Sequence, residues 1–277
     1  MSRFKFSQVN VFSTDPLLGN PLAVVHDADA LTTEQMASIA RWTNLSETVF
    51  LMKPTNPKAD YAVRIFSPEA ELPFAGHPTL GSCHAWLAAG GTPNHTEQVV
   101  QQCEVGLVTV RQDGSQLEFA APSVMRTGPL EKEVLGQILE ALSLSPAAIA
   151  HHQWVDNGPG WCAIMLHSAM DVLALDPDWT ALAPLNLGVV GLHDEGGDAT
   201  VEVRALIGNG GYEDPVTGSL NASLAQWLIP AGFVPSPYVA AQGTRLNRAG
   251  RVQLREANGD VWVGGHVVGV ISGEITV

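Results

Sequence analysis

Two short segments, one in each half of the chain, combine residue types suited to binding an anion at the start of a helix. Residues 77–82 read His-Pro-Thr-Leu-Gly-Ser and residues 214–219 read Asp-Pro-Val-Thr-Gly-Ser, so both fit x-Pro-x-x-Gly-Ser. Proline is tolerated in the first turn of a helix, glycine lets a ligand approach the backbone, and N–H groups at helix starts attract anions. The pair therefore predicts a carboxylate held between two similar domains, or else a chance match between two ordinary helix starts.

Individual side chains near these segments have a functional and a structural interpretation, and residue types alone leave both open. His77 could cap the helix that follows it, and Asp214 could cap its own helix, because aspartate is a favoured N-cap residue. Ser82 and Ser219 could bond back to their own helix backbones. Glu47 stands where a polar loop turns into an apolar strand, a position typical of a solvated surface charge.

The elements that must position these residues indicate the fold class. Charged residues are scarce in the two helices predicted at 78–89 and 215–228, so we expect both helices to be buried on most sides. Gly90 and Gly91 end the first. Strands outnumber the outer helices, and no regular alternation of strands and helices occurs, which argues against Rossmann and TIM arrangements. The sequence therefore predicts an α+β protein in which each half has a mostly antiparallel sheet enclosing one apolar helix.

The remaining elements divide between two domains, 1–120 and 121–277, with a crossover at 120–122. Thr32 and Gln35 fit a capping box, which predicts a helix that ends near Asn44. The last strand is expected either in the second domain or returned to the first. Other predicted segments are strands at 4–12, 22–26, 61–66, 161–166, 187–192 and 199–206, short strands within 99–119, a helix at about 130–142, and three or four strands within 238–277.

Composition excludes several classes of function. With 28 acidic against 14 basic residues the formal charge is −14, which argues against binding to nucleic acid or to an anionic membrane surface. No apolar run reaches the roughly 18 residues of a membrane span, and the N-terminus does not resemble a signal peptide, so we expect a cytoplasmic location. Cys83, Cys103 and Cys162 show no C-x-x-C spacing, and the histidines show no ligand spacing. No metal site or disulfide framework is predicted.

Four motifs in the same order along the chain resemble the PhzF-like family, named after an isomerase of phenazine biosynthesis. They are N-L-S-E-T-V-F at 44–50, R-I-F-S-P-x-x-E-L-P-F-A-G-H-P-T-L-G at 64–81, E-D-P-V-T-G-S at 213–219, and Q-G…G-R-V-Q-L…V-W-V-G-G from 242 to 265. The resemblance covers essentially the whole chain. It implies a diaminopimelate-epimerase-like fold with two related domains and an active site in the cleft between them. It also implies an isomerase that needs no cofactor and no metal, usually a homodimer.

The resemblance also assigns roles to individual positions. It implies that Glu47 is the acid-base residue, that His77 and Asp214 assist catalysis, and that Gly76, Gly218 and Ser219 bind the substrate. Moving a proton beside a conjugated carboxylate requires a base whose pKa is raised by burial, which a glutamate in an apolar cleft can provide.

Such a reaction also requires hydrogen-bond donors for the negative charge that develops, which helix-start N–H groups, Ser219 and a protonated His77 could supply. Asp214 could bind a substrate amine or hydroxyl, or hold His77 in one tautomer.

We therefore expect an isomerase that acts by proton transfer on a small cyclic or unsaturated carboxylic or amino acid. The alternative is a catalytically silent, dimeric protein that binds a small carboxylate. An epimerase or racemase is less favoured, because the two-cysteine enzymes of this fold carry a cysteine at each helix start. Here those positions read Gly-His at 76–77 and Thr-Gly at 217–218, and Cys83 lies about a turn inside its helix.

Overall fold

The computed structural model of the protein describes residues 1–277 and divides the chain into two compact units. The first unit contains residues 1–120 and 264–277, and the second contains residues 121–263. The last strand of the chain is thus part of the first unit. None of the helices has the length and apolar character needed to cross a bilayer.

Both units consist mainly of strands. The first unit begins with β1 (Arg3–Val11), β2 (Asn20–Val25), α1 (Thr33–Thr43), β3 (Thr48–Met52), β4 (Tyr61–Phe66), β5 (Glu71–Leu72), α2 (Gly76–Ala88), β6 (Gln98–Cys103), β7 (Gly106–Asp113) and β8 (Gln116–Ala120). The second contains β9 (Arg126–Gly128), α3 (Lys132–Ala141), β10 (Ile149–Asp156), β11 (Trp161–Leu166), α4 (Ala169–Ala174), α5 (Trp179–Leu182), β12 (Asn186–Leu192), β13 (Val201–Ile207), β14 (Tyr212–Asp214), α6 (Gly218–Leu228), β15 (Tyr238–Gln242), β16 (Gly250–Ala257) and most of β17 (Asp260–Gly265). The chain then returns to the first unit with β18 (Val267–Thr276).

The strands of the first unit form a mostly antiparallel sheet. β18, β1 and β2 are antiparallel neighbours, β2 lies parallel to β3, and β3 is antiparallel to β4. β4 lies parallel to β6, and β6, β7 and β8 complete the antiparallel series. The short strand β5 pairs with the end of β4 and leads directly towards α2.

The second unit repeats this order of neighbours. β9, β10 and β11 are antiparallel, β11 lies parallel to β12, and β12 is antiparallel to β13. β13 lies parallel to β15, which is antiparallel to β16, and the short β14 pairs with β13 just before α6. Because the same series of parallel and antiparallel pairs occurs twice, the predicted α+β class with two pseudo-symmetric halves is confirmed.

Each sheet encloses one apolar helix. α2 contacts β1, β2, β3, β4, β6, β7, β8 and β18 of its unit, and it carries no acidic residue in its first turn and no basic residue in its last. Gly90, with φ of 98°, follows the C-cap Ala89 and ends the helix in the left-handed region that favours glycine, as predicted. α6 is buried over most of its length. A helix apolar on most faces is stable only when surrounded, which the enclosing strands provide.

Amphipathic helices cover the outer faces of the sheets. Met36, Ile39 and Ala40 of α1 pack with Phe50 and Phe66 in the first unit. The predicted capping box is present, since Thr32 and Gln35 bond each other's backbone N–H groups, and Asn44 is the C-cap. In the second unit, buried residues of α3, α4 and α5 form the equivalent outer layer. α1 ends at Thr43, four residues before Glu47, and the loop that follows leads into β3.

Candidate functional site

The two central helices begin at corresponding glycines, and the register differs from the predicted one. α2 begins at Gly76 and α6 at Gly218, whereas the x-Pro-x-x-Gly-Ser pattern predicts starts at Pro78 and Pro215. The segments that occupy equivalent places are 72–76 (Leu-Pro-Phe-Ala-Gly) and 214–218 (Asp-Pro-Val-Thr-Gly), because each runs from the end of a short strand to the first residue of a helix. The repeated pattern is real, but its first copy lies five residues earlier than the motif predicts.

This shift gives the residues of the first motif different roles. Ser82 lies inside α2 and is fully buried; its hydroxyl bonds Gln101 Oε1 at 2.9 Å and Thr79 O at 3.1 Å. Gly81 faces β1 and β2, where an added Cβ would overlap Leu22. Ser82 and Gly81 are therefore packing residues of the central helix, whereas Gly76 and His77 are its first two residues.

Glu47 and His77 are brought into contact at the start of α2. The Glu47 Oε2 atom lies 3.3 Å from His77 Nδ1, and the two side chains are 17% and 5% exposed. Glu47 is held in the loop between α1 and β3, while His77 is the second residue of α2, next to Gly76. Glu47 is therefore not the solvated surface charge that is typical of a glutamate at a strand entrance. A carboxylate with little exposure beside an imidazole is instead an arrangement suited to proton transfer.

His77 is uncharged in the folded protein. Burial lowers its pKa to about 3, and an interaction with the Pro21 carbonyl opposes this shift only in part. The Nε2 atom makes no hydrogen bond of normal geometry. The prediction that a protonated His77 stabilises the developing negative charge is therefore wrong at neutral pH, because the ring is removed from water. A neutral imidazole can still donate one N–H, and Nδ1 is the nitrogen that faces Glu47.

Asp214 is part of a hydrogen-bonded network at the start of α6. The Thr217 hydroxyl donates to Asp214 Oδ2, and Gln242 Nε2 donates to both the Asp214 carbonyl and Thr217 Oγ1, each at 3.0 Å. Thr217 is the N-cap residue, yet its side chain makes no capping bond to the helix. Threonine usually caps through its hydroxyl. Here the hydroxyl is committed to Asp214 and Gln242 instead.

Ser219 is the second residue of α6, and its environment fixes the direction of its hydrogen bonds. Trp161 Nε1 donates to Ser219 Oγ at 3.1 Å, and Asn157 Nδ2 donates to the Ser219 carbonyl at 3.0 Å. Because an indole N–H can only donate, Ser219 Oγ is the acceptor, and its own hydroxyl proton remains available to donate. The neighbouring Gly218 is buried.

An arginine–glutamate pair clamps the short strand that precedes each helix. Arg64 of β4 bonds Glu71 of β5 through two parallel contacts of 2.6 Å, and these side chains are 28% and 31% exposed. Arg204 of β13 bonds Glu213 of β14 at 2.8 Å, with exposures of only 5% and 4%. Both pairs hold the chain just before the helix start, but the second pair is in the interior.

Cysteine chemistry and metal binding find no support in the geometry. Burial raises the pKa of Cys83 and of Cys162 to about 12, so both thiols stay protonated near neutral pH. Cys83 lies inside α2 and not at its first residues. No group of three or more histidine, cysteine, aspartate or glutamate side chains could hold a metal ion.

Sequence reasoning missed three residues of the second network. Thr217 carried a usable signal, because threonine just before a glycine and an apolar helix is typical of an N-cap. Gln242 lies in the Q-G segment quoted for the family resemblance, but nothing in its spacing indicates a role. Trp161 opens an apolar strand and reads as an ordinary core residue, and only its 3.1 Å bond to Ser219 shows otherwise.

Comparisons with known proteins agree with this architecture. Residues 9–273 match the PhzC-PhzF family model, described as phenazine biosynthesis-like protein. The chain is 34% identical to "Antisense-enhancing sequence 1" of Schizosaccharomyces pombe, over 99% of both chains. It is 35% identical to trans-2,3-dihydro-3-hydroxyanthranilate isomerase of Pseudomonas chlororaphis, over 82% of this chain and 80% of that one. A crystal structure of a Bacillus anthracis phenazine biosynthesis protein, of the PhzF family, superimposes over both whole chains with a TM-score of 0.86 and 18% identity, which shows the shared fold.

Proposed function

Since this chain is an isomerase that belongs to the phenazine biosynthesis-like protein family, we propose that it moves a proton within a small cyclic or unsaturated carboxylic or amino acid without a cofactor. The observation that carries the proposal is the Glu47–His77 contact beside the first residue of α2. It supplies a base with little solvent exposure, next to backbone N–H groups that no side chain caps.

Glu47 performs the proton transfer in this proposal. Its Oε2 atom is buried and faces His77, so Oε1 is assigned to the substrate. Oε1 takes a proton from a carbon next to the conjugated system, and the electrons of the broken C–H bond move into that system. The new O–H bond of Glu47 exchanges its proton with solvent and then breaks as a proton is delivered to a second carbon of the conjugated system. Substrate and product are tautomers, and the enzyme ends as it began.

His77 orients the base and does not act as a charged acid. Its pKa of about 3 keeps the ring neutral near neutral pH. The neutral Nδ1 atom lies 3.3 Å from Oε2 and positions the carboxylate without protonating it. An imidazolium in the same place would hold the carboxylate as an ion pair and weaken it as a base.

Substrate binding is assigned to Gly76, Gly218, Ser219 and Asp214. The N–H groups at uncapped helix starts suit a substrate carboxylate. The Ser219 hydroxyl proton, which is not used in the bond from Trp161, can donate to the same carboxylate. Asp214 accepts from Thr217 and suits a substrate amine or hydroxyl. The relatives named trans-2,3-dihydro-3-hydroxyanthranilate isomerase act on a ring that carries all three groups, so this compound is the first substrate to test.

The test is the transfer of solvent deuterium into the substrate. The parent protein in deuterium oxide should introduce deuterium at carbon of trans-2,3-dihydro-3-hydroxyanthranilate, or of a related unsaturated amino acid in a small panel, as read by NMR. Glu47→Gln should lose this exchange by a factor of roughly 10²–10⁴, the usual contribution of a general base. Glu97→Gln, a matched change at an exposed glutamate of the same unit, should exchange at the parent rate.

Two outcomes contradict the proposal. If Glu47→Gln exchanges deuterium as fast as the parent, then Glu47 is not the base. If the parent binds members of the panel but exchanges none of them, the alternative of a catalytically silent carboxylate-binding protein is supported instead. The homodimer implied by the family resemblance stays a prediction, which sedimentation equilibrium checks separately.

A further inference from the structure

Gln242, the last residue of β15, is fully buried and makes four hydrogen bonds around the start of α6. Its Oε1 atom accepts from the Thr217 backbone N–H at 3.0 Å and from Asn221 Nδ2 at 2.7 Å. Its Nε2 atom donates to the Asp214 carbonyl and to Thr217 Oγ1, both at 3.0 Å. One amide therefore connects the two residues that flank the turn into α6, together with a helix side chain.

The orientation of this amide is fixed by backbone partners. A backbone N–H can only donate, so the atom facing the Thr217 N–H must be the amide oxygen. A backbone carbonyl can only accept, so the atom facing the Asp214 carbonyl must be the amide nitrogen. Turning the amide over would lose both bonds at once.

A fixed amide determines where the Thr217 hydroxyl sends its proton. Since Gln242 Nε2 is a donor, it occupies a lone pair of Thr217 Oγ1 and cannot receive the hydroxyl proton. The other side-chain partner of the hydroxyl is Asp214 Oδ2. The proton therefore lies on the Asp214 side, and Asp214 Oδ2 accepts it, an arrangement that favours the ionised form of the carboxyl group.

We propose that Gln242 is a positioning residue, which acts through the Thr217 hydroxyl to hold Asp214 as an oriented, ionised acceptor for the substrate. The inference rests on the proposed function, because that function gives Asp214 its substrate. It deepens the function in one respect: Asp214 recognises a donor group of the substrate, an amine or a hydroxyl, and does not supply a proton to it.

Neutron diffraction from deuterium-exchanged crystals of the parent protein tests the arrangement without any substrate. The expected map shows a deuteron on Thr217 Oγ1 directed at Asp214, two deuterons on Gln242 Nε2, and no deuteron on the Asp214 carboxyl group. A deuteron on Asp214, or a Thr217 deuteron directed elsewhere, overturns the proposal. This result stands even if the parent catalyses no exchange, so failure here is distinct from failure of the proposed function.

A double-mutant cycle tests whether Gln242 acts through Thr217. Thr217→Val should slow deuterium transfer about tenfold, because it removes a hydrogen bond to a charged group, while Thr217→Ser should restore most of the rate. Gln242→Met should cost a similar factor, and adding Thr217→Val to it should cost less than twofold more. If the two losses multiply instead, Gln242 only stabilises the fold and the proposal fails.

The matched control is Gln253→Met on the neighbouring strand β16, a half-buried glutamine outside this network, which should exchange at the parent rate. Thermal unfolding of each variant separates loss of structure from loss of positioning. Should Gln242→Met not fold, Gln242→Asn takes its place in the cycle, because its shorter amide cannot reach all four partners.

Discussion

The starts of α2 and α6 occupy equivalent places in two units of the same topology, yet they are equipped differently. At α2 the first glycine is followed by a buried histidine that contacts Glu47. At α6 the first glycine lies between Thr217 and Ser219, whose hydroxyls are both held in hydrogen bonds. The duplicated scaffold supplies backbone N–H groups twice. In the proposed function the side chains around them have different roles, with acid-base chemistry in the first unit and the Asp214 and Ser219 contacts to the substrate in the second.

A buried glutamine shows the same division. In the first unit, Gln101 bonds Ser82, Thr79 and Tyr61, so it fixes the body of α2 to the sheet. In the second unit, Gln242 bonds the residues at the very start of α6. The polar group that serves packing in one unit serves the helix start in the other.

The largest difference in stability is expected at the two arginine–glutamate clamps. Arg204→Met leaves Glu213 charged and uncompensated in the interior, which should cost about 3–5 kcal/mol of unfolding free energy. Arg64→Met breaks the partly exposed equivalent, which should cost only about 0.2–1 kcal/mol. Urea unfolding of both variants measures the contrast. Equal losses would show that burial does not distinguish the two clamps.

An intermediate effect is expected at Gly81, which lets α2 approach its sheet closely. Alanine is the better helix former by about 1 kcal/mol, but its Cβ would overlap the fully buried Leu22, and such overpacking costs about 1–3 kcal/mol. We therefore expect Gly81→Ala to destabilise the protein. Ser223→Ala, a comparable site in α6 that already carries a side chain, should change stability by less than about 1 kcal/mol. A more stable Gly81→Ala variant would show that the first sheet can shift to make room for the added methyl group.

The acid dependence that His77 imposes on stability is a graded effect, small near pH 6 and larger at lower pH. Its pKa is about 3 when folded and near 6.5 when unfolded, so below pH 6.5 the unfolded chain binds a proton that the native state does not. The contribution of neutral His77 is therefore complete above pH 6.5 and is lost as the pH falls towards 3, at about 1.4 kcal/mol per pH unit. Burial also lowers the pKa of His26 and His84, which add to the same trend.

Urea unfolding of the parent and of His77→Asn between pH 7 and pH 5 measures this slope. The variant should lose stability less steeply than the parent, whereas His95→Asn, at an exposed histidine of the same unit, should follow the parent curve. Parallel curves for the parent and His77→Asn would mean that the buried ring is protonated in the native state.

Local sequence patterns predicted much of the fold, because helix caps and helix ends depend on interactions between residues close in sequence. The capping box at Thr32, the end of α2 at Gly90 and the burial of two helices without charged faces all follow from residues close in sequence. The register of the repeat could not be predicted in this way. The pattern x-Pro-x-x-Gly-Ser fits a proline inside the first turn of a helix as well as a proline that precedes the helix. Strand pairing decides between them, and pairing joins residues far apart in sequence.

The pairing of Glu47 with His77 could be expected from sequence, but the charge state of His77 could not. Family resemblance pointed to Glu47 and His77, and the structure places them in contact. The neutral state of His77 depends on burial beneath β1 and β2, which motif spacing does not describe. Gln242 and Trp161 reach the start of α6 through hydrogen bonds between residues far apart in sequence, and no periodic pattern marks such residues.

The division of labour between the units is tested most directly by measuring affinity and deuterium transfer together on Glu47→Gln, with trans-2,3-dihydro-3-hydroxyanthranilate as the ligand. We predict a Kd within about threefold of the parent and a transfer rate lower by roughly 10²–10⁴, because the base is lost while the binding groups remain. A variant that transfers deuterium at the parent rate would contradict the account, as would one whose lost rate is explained wholly by lost binding.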